Sequence, residues 1–393
     1  MVGKSRIFGS IKLLLDLPKY TSSITLDVVK QLKKPSYNAP SKGTYSSFNF
    51  LLYGGTTAFI LLVVGAINWA IDPLWYGQGN RITGRNYDFP DERTLKTNLF
   101  LNTKDKDYNC LILGSSRSNA LRVSAFEGEN CFNYSFKSGH IEEFSDYADF
   151  VKKQGIQPQK VYVGVDEFNF LEEFNYQRRD VSQLATGSPF EAYLSSGILL
   201  FSIKTLLDSA PDLSTYYDNA FEMQVLASTK AYEPSLNESV PGQFVTCDLS
   251  KIELYKELRE QFPNAEVIAY VPPRSAWKVV SETYKPQFLD CVLQGFHEVA
   301  QHYDGFYDFS IPSAITKNPE HTYDGSHFFP GITDEIAAIL QGSSPSFGIE
   351  VSDMSFEDYT SAYKEAVYEF LKSENALHMV QEDYSERPNN NES

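Results

Sequence analysis

The sequence predicts an α/β protein: a mostly parallel sheet of about five strands with helices on both faces, one N-terminal transmembrane helix and a helical insertion. Three observations carry this. Short apolar runs alternate with stretches whose apolar residues recur every three or four positions. One segment, Phe50 to Ile71, runs for 22 residues without an acid or base apart from Tyr53. Charge is also segregated sharply on either side of that segment.

Residues 1–49 carry Lys4, Arg6, Lys12, Lys19, Lys30, Lys33, Lys34 and Lys42 against Asp16 and Asp27, a net charge of +6. The whole chain of 393 residues is at -17, so everything after the arm is at -23. That balance excludes nucleic acid as a partner, since polyanion binding needs a positive footprint. The uncharged run, FLLYGGTTAFILLVVGAINWAI, matches a hydrocarbon core of about 30 Å, where a single segment satisfies its backbone only as a helix. A buried helix of a soluble core seldom needs so long an uncharged stretch. With the basic arm (1–49) in the cytoplasm, the chain is a single-pass membrane protein whose C-terminal domain is periplasmic or extracellular. Trp69, Trp75 and Tyr76 then lie at the outer interface. The run starts too late for a cleaved signal peptide and reads as a signal-anchor.

Residues 72–107 are polar and form a membrane-proximal lead-in. Strands are expected at CLILG (110–114), CFNYS (131–135), KVYVGV (160–165), EVIAYV (266–271) and FYDFS (306–310), and helices at 140–155, 250–262 and 281–303. The interval from 171 to 246 has helical apolar spacing and no convincing strand. It is either a cover for a ligand cleft or helical padding on one face of the sheet. Within it, ILLFSIKTLL (198–207) is too short to span a membrane and is interrupted by Lys204. It is a buried or an interfacial helix, and a contact with the membrane or a membrane partner fits the second case. From 342 the chain offers one further helix and a polar end, QEDYSERPNNNES, expected to be disordered.

The four cysteines, Cys110, Cys131, Cys247 and Cys291, have no zinc-site spacing. Outside the cytoplasm an even count permits disulfides, in three possible pairings. Cys110 and Cys131 each open a predicted strand, so a bridge joins them if those strands are neighbours; four buried thiols are the alternative.

The chemistry-bearing stretch is LILGSSRS, where a buried strand stops on Gly114, Ser115, Ser116 and Arg117. Gly114 allows a tight exit that a Cβ would obstruct, and Ser116 then opens a helix whose free N–H groups favour an oxyanion. Serine also caps helices as ordinary architecture. A serine hydroxyl is a poor nucleophile until a base takes its proton, which directs attention to the six histidines. His297 and His302 lie in a helical stretch and His378 in the tail. In HTYDGSHFFPG, Asp324 precedes His327 by three residues on a loop, so the acid can take the Nδ1 proton and leave Nε2 facing a serine.

Together LILGSSRS, NYSFKSG (133–139), VYVGVDEFNF (161–170) and YDGSHFFPG (323–331) resemble, in block order, the SGNH or GDSL-like hydrolase superfamily. The closest similarity is to its membrane-anchored extracytoplasmic branch, associated with O-acylation of cell-envelope polymers and exopolysaccharides. The resemblance covers about residues 108–341. It implies an SGNH-like, flavodoxin-like three-layer fold, with Ser116 as nucleophile, His327 as base and Asp324 as its orienter. It also implies an oxyanion hole made by the N–H groups of Ser116 and Gly139. The third block departs from the family's Gly-x-Asn-Asp, because Gly164, Val165, Asp166 and Glu167 stand there. Asn169 is the nearest substitute for the missing amide, and Asp166 is expected to pair with Arg117. The implied activity is serine-dependent O-acyl transfer, of acetyl in the first place, to a sugar or polyol hydroxyl. Hydrolysis by the same residues and a non-catalytic role in an envelope complex are the alternatives. No metal or cofactor is called for; a multi-pass membrane acyl-donor partner and a glycan or polyol acceptor are.

Overall fold

The structure, a computed structural model, describes residues 47–377 apart from 89–90, 210–213, 228, 231, 237–243, 245 and 284–285. The basic arm before residue 47 and the polar end after 377, His378 included, lie outside the described residues. Helix α1 (Ser47–Ile71) is continuous and is long and apolar enough to span a membrane; no other described helix is. Its end is fixed by Asp72, which adopts a left-handed conformation and gathers the N–H groups of Tyr76, Gly77 and Gly79 on its carboxylate. Helix α2 (Glu92–Thr103) is capped by Asp91, whose carboxylate accepts from the N–H groups of Arg93 and Thr94. It buries Leu95 and Phe100 completely, so part of the polar lead-in belongs to the packed body.

The main sheet has six strands. Strands β1 (Cys110–Leu113), β2 (Cys131–Asn133) and β3 (Lys160–Gly164) match three of the expected runs. A small hairpin, β4 (Thr215–Tyr217) and β5 (Met223–Val225), stands apart; β6 (Glu266–Val271), β7 (Gly305–Asp308) and β8 (Ile349–Glu350) complete the sheet. The order is β2-β1-β3-β6-β7-β8, parallel throughout except for β8. Two corrections follow. The sixth strand, β8, is two residues long, and the β4–β5 hairpin falls where no strand was expected. Neither is long enough to show a period-two pattern; the hairpin turn is tied instead by the Asp218 carboxylate, which accepts from the N–H groups of Ala220 and Glu222.

Alternation along the central strands sorts their side chains into two cores. Leu111, Leu113, Val161, Val163, Val267 and Ala269 belong to one cluster, and Ile112, Tyr162, Ile268 and Tyr270 to the other. Both faces are buried, which is why these strands appear in sequence as nearly continuous apolar runs.

The helices after α2 are α3 (Ser116–Asn119), α4 (Ile141–Lys153), α5 (Phe168–Leu171), α6 (Pro189–Tyr193) and α7 (Ser196–Leu206). They continue as α8 (Lys251–Glu260), α9 (Ala276–Lys278), α10 (Pro286–Ala300), α11 (Pro330–Leu340) and α12 (Phe356–Ser373). Residues of α4, α8, α10 and α12 fill the larger cluster, whereas α11 supplies Ile336, Ala337, Ile339 and Leu340 to the smaller one. Where one helix over 281–303 was expected, the described residues give a π turn (Val279–Thr283) and α10 (Pro286–Ala300).

All four cysteines are bridged, Cys110 to Cys131 and Cys247 to Cys291. The first pair are register partners at the start of adjacent parallel strands, with Cα atoms 4.2 Å apart. The second joins Cys247, the residue after the 171–246 interval, to α10.

Candidate active site

In an open parallel sheet the chain leaves every strand at the same edge, and a crevice opens where neighbouring connections depart to opposite sides. Here the order reverses at β1, between β2 and β3. The predicted site residues lie in loops beyond these carboxyl ends: Ser116 and Arg117 after β1, Gly139 after β2, Asp166 after β3, and Asp324 and His327 after β7.

The turn from β1 into α3 depends on space. A Cβ on Gly114 would lie 2.2 Å from the Ser118 hydroxyl oxygen, and one on Gly164 would lie 2.1 Å from the same atom. Ser118 is thus wedged between the ends of β1 and β3. Ser115, not Ser116, is the capping residue: its hydroxyl accepts from the Arg117 N–H at 3.3 Å. That leaves the Ser116 hydroxyl uncommitted to the backbone.

The 322–328 loop delivers the histidine. Thr322 and Phe328 form a bridge across its base, the Thr322 hydroxyl donates to the His327 carbonyl at 2.6 Å, and Gly325 turns it in a left-handed conformation. One Asp324 oxygen accepts from the N–H groups of Ser326 (2.8 Å) and His327 (2.7 Å), which aims the other at the ring. His327 Nδ1 lies 2.7 Å from that oxygen, and His327 Nε2 lies 2.9 Å from Ser116 Oγ. Burial works against the Asp324 carboxylate, but the histidine and the two backbone N–H groups outweigh it and hold its pKa below the ordinary value. Tyr323 stacks on His327 with ring centres 5.6 Å apart.

Arg117 pairs with Asp166 at 3.0 Å, and also grips Glu167 in a two-pronged contact at 2.5 and 2.8 Å. Glu167 is met in turn by Arg274 at 3.3 Å, and Arg274 reaches on to Glu282. The two carboxyls respond in opposite directions. Burial raises Asp166, which receives one edge of Arg117 and the repulsion of Glu167. Glu167 is also buried, yet two guanidinium groups hold it below the usual range. The cluster is an ion-pair floor on which the Ser116 turn rests, and Arg117 is occupied in holding it.

Two expected oxyanion donors are elsewhere. The Gly139 N–H closes a turn onto the Phe136 carbonyl at 3.1 Å, and Gly139 owes its small size to the Gly114 carbonyl, 2.6 Å from where its Cβ would be. Asn169 is buried; its oxygen accepts the Ile141 N–H at the start of α4 (3.1 Å), and its amide donates to the Tyr255 hydroxyl (2.9 Å). It supplies the cap that His140, at the N-cap position, does not. Ser138, one residue before Gly139, lines the cleft with a positive φ of 49°. Arg93 holds the carbonyls of Lys137 (3.3 Å) and Ser138 (3.2 Å), and among the described residues no acceptor takes the Ser138 or the Ser116 N–H.

A cleft of about 260 Å³ opens over Ser116, Asp324 and His327. Its remaining wall is Asn119, Lys137, Ser138 and Tyr323, with Thr215 and Met223 from the β4–β5 hairpin. Part of the 171–246 interval therefore does face the cleft. Beneath it lies a buried polar cluster that sequence reasoning missed. Asn119 donates to Glu92 (3.0 Å) and to the Tyr217 hydroxyl, which bonds Glu92 in turn. Lys96, fully buried, donates to Asn119 (2.6 Å) and to the carbonyls of Asn133 (2.9 Å) and Ser135. Burial lowers its pKa to about 7 against the pull of Glu92. On α2 these charges look in sequence like an ordinary solvated face, and no local pattern distinguishes them.

No family model, no curated protein and no solved structure matches the chain.

Proposed function

We propose that the chain is a membrane-anchored serine acyltransferase of the SGNH, or GDSL-like, type. In this reading Ser116 Oγ attacks the carbonyl carbon of an acyl donor while His327 Nε2 takes its proton, with Asp324 holding the ring and balancing its charge. The leaving oxygen takes that proton from His327. A sugar or polyol hydroxyl then gives its proton to Nε2 and attacks the acyl-serine, and Ser116 recovers its hydrogen as the new ester departs.

The observation that carries this is the continuous contact from Asp324 to His327 Nδ1 (2.7 Å) and from Nε2 to Ser116 Oγ (2.9 Å). Those lengths put base and nucleophile within proton-transfer reach. The oxyanion is assigned to the N–H groups of Ser116 and Ser138, which have no acceptor among the described residues and belong to residues that line the cleft beside the hydroxyl of Ser116. A cleft of about 260 Å³ with hydroxyl and amide groups on its wall suits a short acyl group and the edge of a polyol. Two disulfides and the span at the head of the domain support placing the domain outside the cytoplasm, where a multi-pass membrane partner would deliver acyl groups.

The test is incubation of the purified full chain with an activated short-chain ester, followed by intact mass and peptide mapping. An adduct on Ser116 is expected, absent from Ser116→Ala and reduced by orders of magnitude in His327→Ala. Adding an oligosaccharide acceptor should divert the acyl group from water to sugar; release to water alone would make the chain an esterase. No adduct across a series of short acyl donors, with undiminished cellular function of Ser116→Ala, would assign it a non-catalytic role.

A further inference from the structure

Helix α7 is inverted with respect to a helix on a water-soluble surface. Its two fully buried side chains are hydroxyl-bearing, Ser202 and Thr205, while Leu200 (53% exposed), Ile203 (41%) and Leu207 (69%), the residue after its end, stand on the outside. Phe190 on the adjoining α6 is 72% exposed. In water such an arrangement forgoes the burial that would stabilise it; in hydrocarbon it is the expected one.

On the inward face Ile198 packs against the Leu74 and Trp75 cluster, and the polar groups have a specific partner, the C-terminal end of the membrane span. Asn68 is buried, its amide donating to the carbonyls of Tyr193 (2.7 Å) and Ser195 (3.1 Å), and its oxygen accepting from the Ser202 hydroxyl (2.9 Å). Leu194 packs at Gly65, and the Tyr193 hydroxyl donates to Asp72 at 3.0 Å. The α6–α7 pair is thus bolted to the span over residues 65–72. At a rise of 1.5 Å per residue, Asn68 lies about 4.5 Å before the last residue of the apolar run, Ile71. In a bilayer whose hydrocarbon ends with that run, this is the level of the boundary between acyl chains and headgroups. Trp69, 54% exposed and covered on one face by the Arg81 guanidinium at 4.6 Å, marks the same level.

We propose that α6 and α7 form a monotopic shoulder, immersed at the interface of the leaflet where the span ends, with Phe190, Leu200, Ile203 and Leu207 in contact with lipid acyl chains. The shoulder and the span make a two-point attachment that restrains the domain from swivelling about a single helix. Lipid is the occupant because the apolar span fixes the height of the patch, and at that height the surrounding solvent is bilayer.

The test uses the full chain in vesicles of phosphatidylcholine and phosphatidylglycerol. All four cysteines are disulfide-bonded, so Leu200→Cys, Ile203→Cys and Leu207→Cys each offer one thiol for a nitroxide, with Tyr368→Cys on α12 as an exposed reference. Power-saturation measurements compare accessibility to oxygen, which partitions into lipid, with that to a water-soluble nickel chelate. The shoulder positions should show a several-fold excess of oxygen over nickel accessibility, and the reference the reverse ratio. Nickel accessibility at the shoulder equal to the reference would overturn the proposal by placing the patch in water. Low accessibility to both reagents would also overturn it, because a protein surface then covers the patch. Three positions labelled singly keep the outcome readable if one variant fails to fold.

Discussion

Ser116 is distinguished from its neighbours by what it does not bond. Ser115 spends its hydroxyl on the Arg117 N–H and Ser118 is buried between two glycines, whereas Ser116 Oγ is 2.9 Å from an imidazole nitrogen. The histidine is aimed in turn by a carboxylate whose other oxygen is already fixed by two backbone N–H groups. Asp324→Asn is therefore an informative change. The amide can keep the loop by accepting those N–H groups with its oxygen, but it then presents NH2 to Nδ1 and favours the tautomer whose Nε2 carries a hydrogen toward Ser116. Acyl-serine formation should fall by about 10⁴ while the thermal unfolding temperature changes little, since such a tautomer defect spares the geometry. Rapid-mixing measurement of the acylation burst checks this; an undiminished burst would remove Asp324 from the chemistry.

At the level of elements, the fold holds two devices that the sequence reveals only in part. The five parallel strands were legible because burial on both faces makes their centres nearly continuous apolar runs, and the Asp324–His327 pair because a turn of three residues is a local pattern. The partner of a backbone N–H is not legible locally: the Gly139 N–H is taken by the Phe136 carbonyl, in a turn whose Lys137 and Ser138 carbonyls are held by Arg93, more than 40 residues away in sequence. Asn169 likewise had the right chemistry and the wrong surroundings. The first device is the Ser118 wedge. A methyl at position 164 would meet Ser118 Oγ at 2.1 Å but its Cβ only at 3.4 Å, whereas one at position 114 would meet that Cβ at 2.5 Å. Gly164→Ala should cost about 1–3 kcal/mol as overpacking, and Ser118→Ala should restore most of it; Gly114→Ala should not be rescued in the same way. Denaturant unfolding of the two double-mutant cycles separates these cases. The second device is the start of α4, where His140 stacks on Phe174 at 3.9 Å with its Nδ1 buried and unpartnered. Burial, followed by Lys251 and Arg93, lowers its pKa to about 4 from 6.5. The unfolded chain thus takes up the proton first, so stability is complete above pH 6.5 and declines as pH falls toward 4. The loss is at most about 3 kcal/mol, because Glu172, 3.8 Å from Nε2, favours the charged ring. His140→Phe keeps the stack and should flatten that part of the stability profile relative to the parent chain.

For the whole molecule, two physical signals favour one orientation. The arm before the span carries eight Lys and Arg residues against two Asp, the bias that the positive-inside rule would place on the cytoplasmic side. Both disulfides lie after the span, in the part that would meet an oxidising compartment. The candidate cleft lies in that same part. Because the bridges leave no native thiol, a single introduced cysteine reports sidedness cleanly. Ser41→Cys in the arm and Tyr368→Cys on α12 should behave oppositely toward a membrane-impermeant maleimide applied to intact spheroplasts. The α12 position should label fully and the arm only after the membrane is permeabilised. Inverted vesicles should exchange the two results. Labelling of the arm and protection of α12 in spheroplasts would reverse the topology and put the disulfides in a reducing compartment. The proposed transfer to an envelope polymer would fall with it, although the contact between His327 and Ser116 would still support an esterase acting on cytoplasmic substrates.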